Sequence, residues 1–544
     1  MADPAPPSPP ELTSRLSEYA RAPRTAQELV RLLRPPRLAL RATPALRSTY
    51  GSYAPLWPAL AAAWEVEARR LASDDKDSIP AVLALAALLL SLCTQSPDNQ
   101  QHAVDHIEPV LRQVLLAASS LFNLEDSAYT DMTRVCCQAL ANLVTDNEAI
   151  ASTFFPRRLE LEVDDHLIQR LLASPDHGTL QAVLIYLLNS IHGNRERALL
   201  LGTSKAGAAI LDRLMTIVSV LFDDETPEGI ASEDFSSDIF QLSFAIVQQL
   251  VELEAFSAAY EEHALMPGFA TSPTLVTLLK FLDGHLSLPL RATEPAALAL
   301  APFLVRQMAH LGGWLVDEEG PTGAARAKNA ADAAAFQGLV LVLHCACSLG
   351  LGLEREEGGG EKEAGGSARA EGEERAREEL AEGAETAVRL LGFSTTLLPP
   401  VSARPPPPSS SSSPSPSSPT ASSAPPASPS PESTAAVAQL QRTLVQFLGI
   451  VSFSPPLTTA HPRPSERVRR TQDTVRDKGG LELLLSLCQM DERNTTMREH
   501  ALFAVRNLLK SNQASQDYVD ALKPQYRVGD NGELLDLPPP LRQE

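Results

Sequence analysis

The sequence predicts an all-α chain of stacked helical repeats, interrupted by a long disordered insert. Three observations carry this. Apolar residues recur at three- and four-residue spacing from Glu11 to about Leu353, and again from about Ala435 to Leu522. Sustained period-two alternation rich in Val, Ile or Thr is almost absent. Short self-similar stretches recur in both helical blocks, the mark of a repeat array.

Taken in order, residues 1–10 are proline-rich and expected to be disordered. The block 11–353 is punctuated by Arg34-Pro35-Pro36, Ser96-Pro97-Asp98-Asn99, Ser174-Pro175-Asp176 and Met266-Pro267-Gly268, each read as a helix stop followed by a new helix. Residues 354–434 are expected to be disordered. Residues 354–385 carry twelve glutamates against five basic residues, too polar to offset the entropy of ordering. A helix is expected to return near 378–393. Residues 399–433 are nearly all Pro, Ser and Ala, with Ser-Pro pairs at Ser413, Ser415, Ser418, Ser428 and Ser430 that suit proline-directed phosphorylation as well as they suit a plain spacer. Helical patterning resumes over 435–524, and 525–544 reads as a turn-like tail.

With 46 Lys and Arg against 67 Asp and Glu, the net charge is −21. Such a chain repels phosphate backbones unless it carries a local basic patch, so neither nucleic acid nor an anionic membrane surface is an expected partner. The six cysteines are sparse and most lie in apolar helical patterns, which fits a reduced intracellular compartment. The start, Met1-Ala2-Asp3-Pro4, does not read as a secretory signal. Residues 77–98 and 332–354 hold long uncharged stretches, but Pro80, Ser91, Thr94 and His344 interrupt them. They read as Ala-rich helices buried on most sides, and no membrane span is expected.

The repeat signal is local. Residues 136–147 read CCQALANLVTDN, 183–194 read VLIYLLNSIHGN and 501–512 read ALFAVRNLLKSN. On a helix Cys136, Leu140 and Leu143 fall within about 60°, with Asn142 roughly 120° away. Asn189 and Asn507 occupy the same offset. The trailing Asn147, Asn194 and Asn512 suit a helix C-terminus, where asparagine tolerates the left-handed conformation. The pattern resembles the last helix of an armadillo repeat, Ala-Leu-x-Asn-Leu, which implies an armadillo-like solenoid. By that resemblance Asn142, Asn189, Asn507 and the neighbouring Arg506 are candidates to line a partner-binding groove. The competing reading has the asparagines solvate a helix face or join neighbouring repeats.

The C-terminal block is the most specific. Residues 472–490 read QDTVRDKGGLELLLSLCQM, and 491–519 read DERNTTMREHALFAVRNLLKSNQASQDYV. This resembles the C-terminal domain shared by ataxin-10 proteins, fungal homologues included, at Gly479, Gly480, Cys488, Asp491, Asn494, Glu499, His500, Ala501, Arg506, Asn507, Leu508 and Asn512. Two positions depart from the family pattern: Gly449-Ile450-Val451 stands for the usual Gly-Asn-Leu, and Thr495 for a loop proline. Read physically, Gly479-Gly480 ends one helix and turns tightly into the next. Leu481, Leu484, Leu485 and Cys488 are spaced by three and four, which predicts one buried stripe. Glu499 and His500 suit bonds to an adjacent helix, and Arg506 suits an acid on a neighbouring turn.

No phosphate-cradling glycine loop, nucleophile elbow, Cys-x-x-Cys or His-Glu-x-x-His motif occurs. His344-Cys345-Ala346-Cys347 is the nearest thing to a soft-metal motif, and some fungal family members carry a copper-transport name. On a helix, however, Cys345 and Cys347 point about 160° apart. No metal, cofactor or catalytic residue is expected. The reading is a non-enzymatic scaffold for protein partners, with self-association among the options. The resemblance implies cytoplasmic location and roles in cytokinesis or septation and cell survival. The alternative is an armadillo-like nucleotide-exchange regulator of a GTPase, and a copper-related role is more distant.

Overall fold

The computed structural model describes residues 5–22, 25–160, 166–223, 233–265, 272–316, 330–358, 367–398, 431–454, 464–489, 494–522, 526–528 and 534–536. It divides into two compact units, Met1–Leu282 and Asp283–Glu544.

The first unit contains α1 (Pro9–Arg21), α2 (Ala26–Ala42), α3 (Ala45–Gly51), α4 (Leu56–Ala72), α5 (Ile79–Cys93), α6 (Pro97–His106), α7 (Glu108–Ala118), α8 (Leu121–Leu124), α9 (Ser127–Val144), α10 (Glu148–Glu160) and α11 (Leu167–Leu171). It continues with α12 (His177–Ile191), α13 (Arg195–Thr203), α14 (Lys205–Asp223), α15 (Glu233–Glu252), α16 (Phe256–Leu265) and most of α17 (Pro273–Leu286). One helix in each repeat stacks on its counterpart in the next, giving the layer α2–α5–α9–α12–α15. The helices between them pack as α1–α4–α7 and α10–α13–α16. No hairpin could bury its apolar face alone; stacked neighbours do it for one another.

A backbone signature recurs at repeat boundaries. After α5, α9, α12 and α15 the chain passes through one left-handed residue: Gln95 (φ 51°), Asp146 (φ 54°), Gly193 (φ 63°) and Glu254 (φ 54°). A sharp reversal into the next helix follows. Asn147 and Asn194 accept main-chain N–H groups of the helices they precede, from Ile150 at 3.2 Å and Arg197 at 3.0 Å. The trailing asparagines are therefore N-caps, one residue past the left-handed position expected for them. The side-chain oxygen satisfies an orphan donor there, and the strain falls on the residue before.

The second unit holds α18 (Pro295–Leu298), α19 (Ala301–Val316), α20 (Ala330–Gly358), α21 (Ser367–Glu382), α22 (Ala384–Leu397), α23 (Pro431–Val451), α24 (Glu466–Asp477), α25 (Gly480–Ser486), α26 (Met497–Leu509) and α27 (Gln513–Ala521). The stacked layer here is α20–α23–α26, with Ser511 (φ 56°) left-handed between α26 and α27. Its partners are α19, α21, α22, α24 and α25.

The all-α class of stacked helical repeats expected from the sequence is what the structure shows, with several local differences. Pro35 and Pro36 do not stop α2: the helix lies against α5 with Leu29, Leu33 and Leu40 buried, and this packing offsets the two lost helix bonds. The N-terminal segment is already ordered by residue 5: Pro7 is buried and its carbonyl accepts the Tyr50 hydroxyl. Within the segment expected to be disordered, α21 is a packed helix. Ala376 and Leu380 are buried, and Glu373 is paired with Arg369 and Arg377. Arg467 of α24 reaches Glu374 at 3.5 Å. The helix expected near 378–393 is broken at Gly383 into α21 and α22. The boundary between compact units falls inside α17, far from the composition change at 354, because composition does not report packing. The tail holds a two-stranded antiparallel pair, β1 (Tyr526–Val528) with β2 (Leu534–Asp536), where turns alone were expected. The Ser-Pro pairs and Met266-Pro267-Gly268 lie outside the described residues.

Two described helices are long and apolar enough to cross a membrane, over Lys76–Cys93 and Ala333–Arg355, and a third span arises if the bent pair Asp238–Glu252 and Phe256–Ala264 is taken as one. In the fold, 61% of each of the two single windows is buried, with α5 lying against α2, α4 and α9, and α20 against α19 and α23. Their apolar character is used by protein neighbours.

Candidate partner-binding surface

The asparagines singled out by the repeat are placed by the stacked layer. In the first unit Asn142 Nδ2 on α9 donates to Leu90 O at 3.0 Å and Thr94 Oγ1 at 3.2 Å, both near the end of α5. Asn189 Nδ2 on α12 repeats the move one helix on, donating to Thr145 Oγ1 at 2.8 Å. The main-chain N–H of Gly193 then donates to Gln249 of α15 at 3.2 Å. The Asn142 and Asn189 amides thus tie α9 and α12 to the C-terminal ends of α5 and α9.

A buried glutamine completes the clasp. Gln100 Nε2 on α6 donates to Asn142 O at 2.8 Å and Thr145 O at 2.9 Å, while its Oε1 accepts Asn147 Nδ2 at 2.8 Å. The second unit contains the same arrangement. Gln472 Nε2 on α24 donates to Asn507 O at 2.7 Å and Lys510 O at 3.2 Å, and its Oε1 accepts Asn512 Nδ2 at 3.2 Å. Asn507 Nδ2 donates to Gly449 O on α23 at 2.8 Å. Asn512 also caps α27, accepting from Ser515 N at 3.0 Å, and donates to Asp473 at 3.0 Å. Burial pushes the Asp473 carboxyl up, but the bonds from Asn512 and Arg476 outweigh it and hold the group below its ordinary value.

The asparagines are therefore engaged in joining helices. Asn507 is 4% exposed and turned inward, whereas Asn142 and Asn189 are half-buried at the surface. The two glutamines escaped the sequence reading. Their signal was an amide inside a buried stripe: Gln100 beside Asn99 and Ala103, and Gln472 among Val468, Thr471 and Val475.

The remaining motif positions build the corner between α24 and α26. Gly479 has φ 77°, and a Cβ on Gly480 would stand 2.7 Å from Val388 Cγ2 and 3.0 Å from Val475 O. The first glycine supplies the left-handed turn and the second lets α25 sit close. Leu481 and Leu484 are buried. Leu485 and Cys488 are half-buried, the thiol lying 3.4 Å from Leu484 O, with its pKa raised by burial. His500 is half-buried and its Nε2 lies 3.1 Å from Gln446 Nε2 on α23. Burial, then the nearby Arg442, lower its pKa against the opposing Glu499, so the neutral ring accepts this bond. Glu499 and Arg506 are exposed, and Arg506 makes no ion pair among the described residues.

What α26 leaves open is apolar. Leu502 is 49% and Phe503 38% exposed, and Phe503 lies over Gly449, whose added Cβ would come within 3.0 Å of its ring. Together with Arg506 they form a small apolar patch with a cationic edge. The sequence signal was two apolar residues off the buried stripe of Ala501, Ala504, Val505 and Leu508. Cys345 and Cys347 are buried in α20, where burial raises both thiols, and Cys347 Sγ lies 3.9 Å from Thr443 O. Among the described residues no group of three or more His, Cys, Asp or Glu is arranged to hold a metal.

Comparison with known proteins falls on this C-terminal corner. Residues 467–537 match the model of the spinocerebellar ataxia type 10 protein domain. The ataxin-10 homolog of Dictyostelium discoideum is 38% identical over 73 residues, 13% of this chain and 12% of that protein. The homolog of Saccharomyces cerevisiae is 33% identical over 84 residues, 15% of this chain and 14% of that one. That of Kluyveromyces lactis is 30% identical over 92 residues, 17% and 14%. The similarity thus spans about one-seventh of the curated relatives' length or less. Among solved structures, the SYS-1/POP-1 complex aligns with TM-score 0.38 at 11% identity over 97% of this chain and 80% of that one. A circular tandem repeat protein aligns with TM-score 0.22 at 12% identity over 93% and 98%. The C-terminal segment of the chain, residues 467–537, is thus similar to the domain shared by ataxin-10 proteins.

Proposed function

We propose that the chain is a non-enzymatic scaffold that binds protein partners through the open face of α26 in the ataxin-10 domain. The observation that carries this is the exposed Leu502–Phe503 pair beside Arg506, within the segment most similar to known relatives. Aromatic and aliphatic anchors edged by arginine are the residue types that dominate protein–protein interfaces. The polar residues nearby are occupied: Asn507 by Gly449 and His500 by Gln446. The face offers shape and apolar area, with no nucleophile–base pair in it. Cytoplasmic location and a role in cytokinesis or cell survival are proposed from the resemblance of the C-terminal segment to ataxin-10 proteins. Placing a photo-crosslinking benzoylphenylalanine at position 502 of the full chain tests the reading in cells. Partner proteins are expected to crosslink there and not from exposed position 517 on α27. Equal crosslinking from both would overturn it.

A further inference from the structure

The first fifty residues run against the charge of the whole chain. They hold eight arginines, no lysine and four acids, a surplus of four positive charges in a chain of net charge −21. Four of these arginines, Arg31, Arg34, Arg37 and Arg41, lie on α2 at spacings of three, three and four. On a helix they fall within an arc of about 120°. The buried residues Leu29, Leu33, Pro36 and Leu40 lie on the other side. Arg31, Arg34 and Arg41 are exposed and Arg37 half-buried. Among the described residues no carboxylate is ion-paired with Arg31, Arg37 or Arg41.

The stripe borders, at Arg31, a cleft of about 430 Å³ between α1 and α2, lined by Arg15, Glu18, Tyr19, Glu28, Leu29, Arg31 and Leu32. Pro35 and Pro36 bring no N–H to the helix, so the carbonyls of Arg31 and Leu32, four residues back, lose their usual donors. Guanidinium groups, apolar side chains and two carboxylates therefore meet in the cleft, and two of its lining residues, Arg31 and Leu32, carry the freed carbonyls.

We infer that the α2 stripe and its cleft form a docking surface for an acidic peptide segment of a partner protein, with glutamates or aspartates interleaved with apolar residues. Carboxylates pair with the arginines, whose planar forks match them in bidentate geometry. An apolar side chain enters the cleft, and peptide N–H groups meet the freed carbonyls. The stripe is about 15 Å long at 1.5 Å per residue, roughly two Debye lengths at physiological salt. A short peptide stays within that local field. A nucleic acid or an anionic bilayer extends beyond it and meets the acidic remainder of the chain. This surface uses different residues from the α26 face and stands or falls without it.

Fluorescence anisotropy on the full chain tests it. The probe is a labelled twelve-residue peptide of alternating glutamate and leucine, compared with its glutamine counterpart, a single-stranded RNA and phosphatidylserine vesicles. Saturable binding of the glutamate peptide is expected, weaker for the glutamine peptide and weaker as salt rises. The variant Arg31→Glu/Arg34→Glu/Arg41→Glu is expected to lose about 10- to 100-fold in affinity, three charge pairs' worth, with an unchanged circular dichroism spectrum. No saturable binding, equal affinity for the variant, or salt-insensitive binding by wild type would overturn the inference. Tighter RNA or vesicle binding that the same substitutions abolish would also overturn it. The salt titration on wild type decides the question even if the variant misfolds.

Discussion

The side-chain amide of Asn507 donates to the main-chain carbonyl of Gly449 across 2.8 Å, from a position 4% exposed to solvent. The residue that marks the repeat is thus spent inside it, holding α26 to α23. Asn142 plays the same part toward Leu90 from a half-buried site. Replacing each by alanine should cost unequally. Asn507→Ala strands a buried carbonyl and is expected to lose about 1–3 kcal/mol, while Asn142→Ala loses about 1 kcal/mol or less because water reaches the site. Urea unfolding of the two variants checks the order; a larger loss for Asn142→Ala contradicts it.

Gln472 serves three groups at once, Asn507 O, Lys510 O and Asn512 Nδ2. Gln472→Leu keeps the volume and abandons all three. A loss of about 2–4 kcal/mol is expected, close to that of Gln100→Leu in the first unit. Thermal melting reads both, and indifference to either substitution would show that the clasp carries no stability.

The two glycines at 479 and 480 should fail for different reasons. Gly479→Ala forces a side chain into φ 77° with open space around it, costing about 1–2 kcal/mol. Gly480→Ala puts a methyl 2.7 Å from Val388 Cγ2 and 2.8 Å from Val475 Cγ1, an overpacking of about 1–3 kcal/mol. Gly479→Asn, which tolerates the left-handed region, is expected to recover part of the first loss and Gly480→Asn none of the second. Denaturation midpoints of the four variants measure this.

Acid should loosen the first unit at Arg197. This buried guanidinium on α13 holds the Glu148 carboxylate of α10 at 2.6 and 2.8 Å. Its hydrogen bonds, foremost among the causes, draw the Glu148 pKa down to about 2. A depressed carboxyl contributes stability above its unfolded pKa, about 4.3, and loses it as pH falls through the folded value. The contribution is therefore lost between about pH 4.5 and 2. It is modest because Glu148 is largely exposed and solvent screens the pair. Glu148→Gln is expected to flatten the stability profile in that window and leave its shape at neutral pH unchanged. A profile identical to wild type between pH 4.5 and 2 contradicts the assignment.

Much of this was legible in sequence because helical burial is periodic. Cys136, Leu140 and Leu143, and Ala501, Val505 and Leu508, are all buried as their spacing requires. The family corner was legible through Gly479-Gly480 and the residues after it. The helix α21 was not, since its glutamates read as unpayable charge until Arg467 and Arg470 of α24, some ninety residues on, are seen against Glu374 and Glu378. The asparagine clasps were half legible. Sequence places an amide to the side of the stripe, but only the fold shows that the preceding helix end takes it. Gln100 meets Asn142 and Gln472 meets Asn507 across 42 and 35 residues, distances over which no local pattern runs.

The most direct test of the account separates the amides that hold the repeats from the face that meets partners. Affinity purification of the tagged full chain is compared with Leu502→Ser/Phe503→Ser and with Asn142→Ala/Asn189→Ala, each checked by circular dichroism. The account expects the serine variant to lose the wild-type partners and the asparagine variant to keep them. Partners retained by the serine variant and lost by the folded asparagine variant would contradict it.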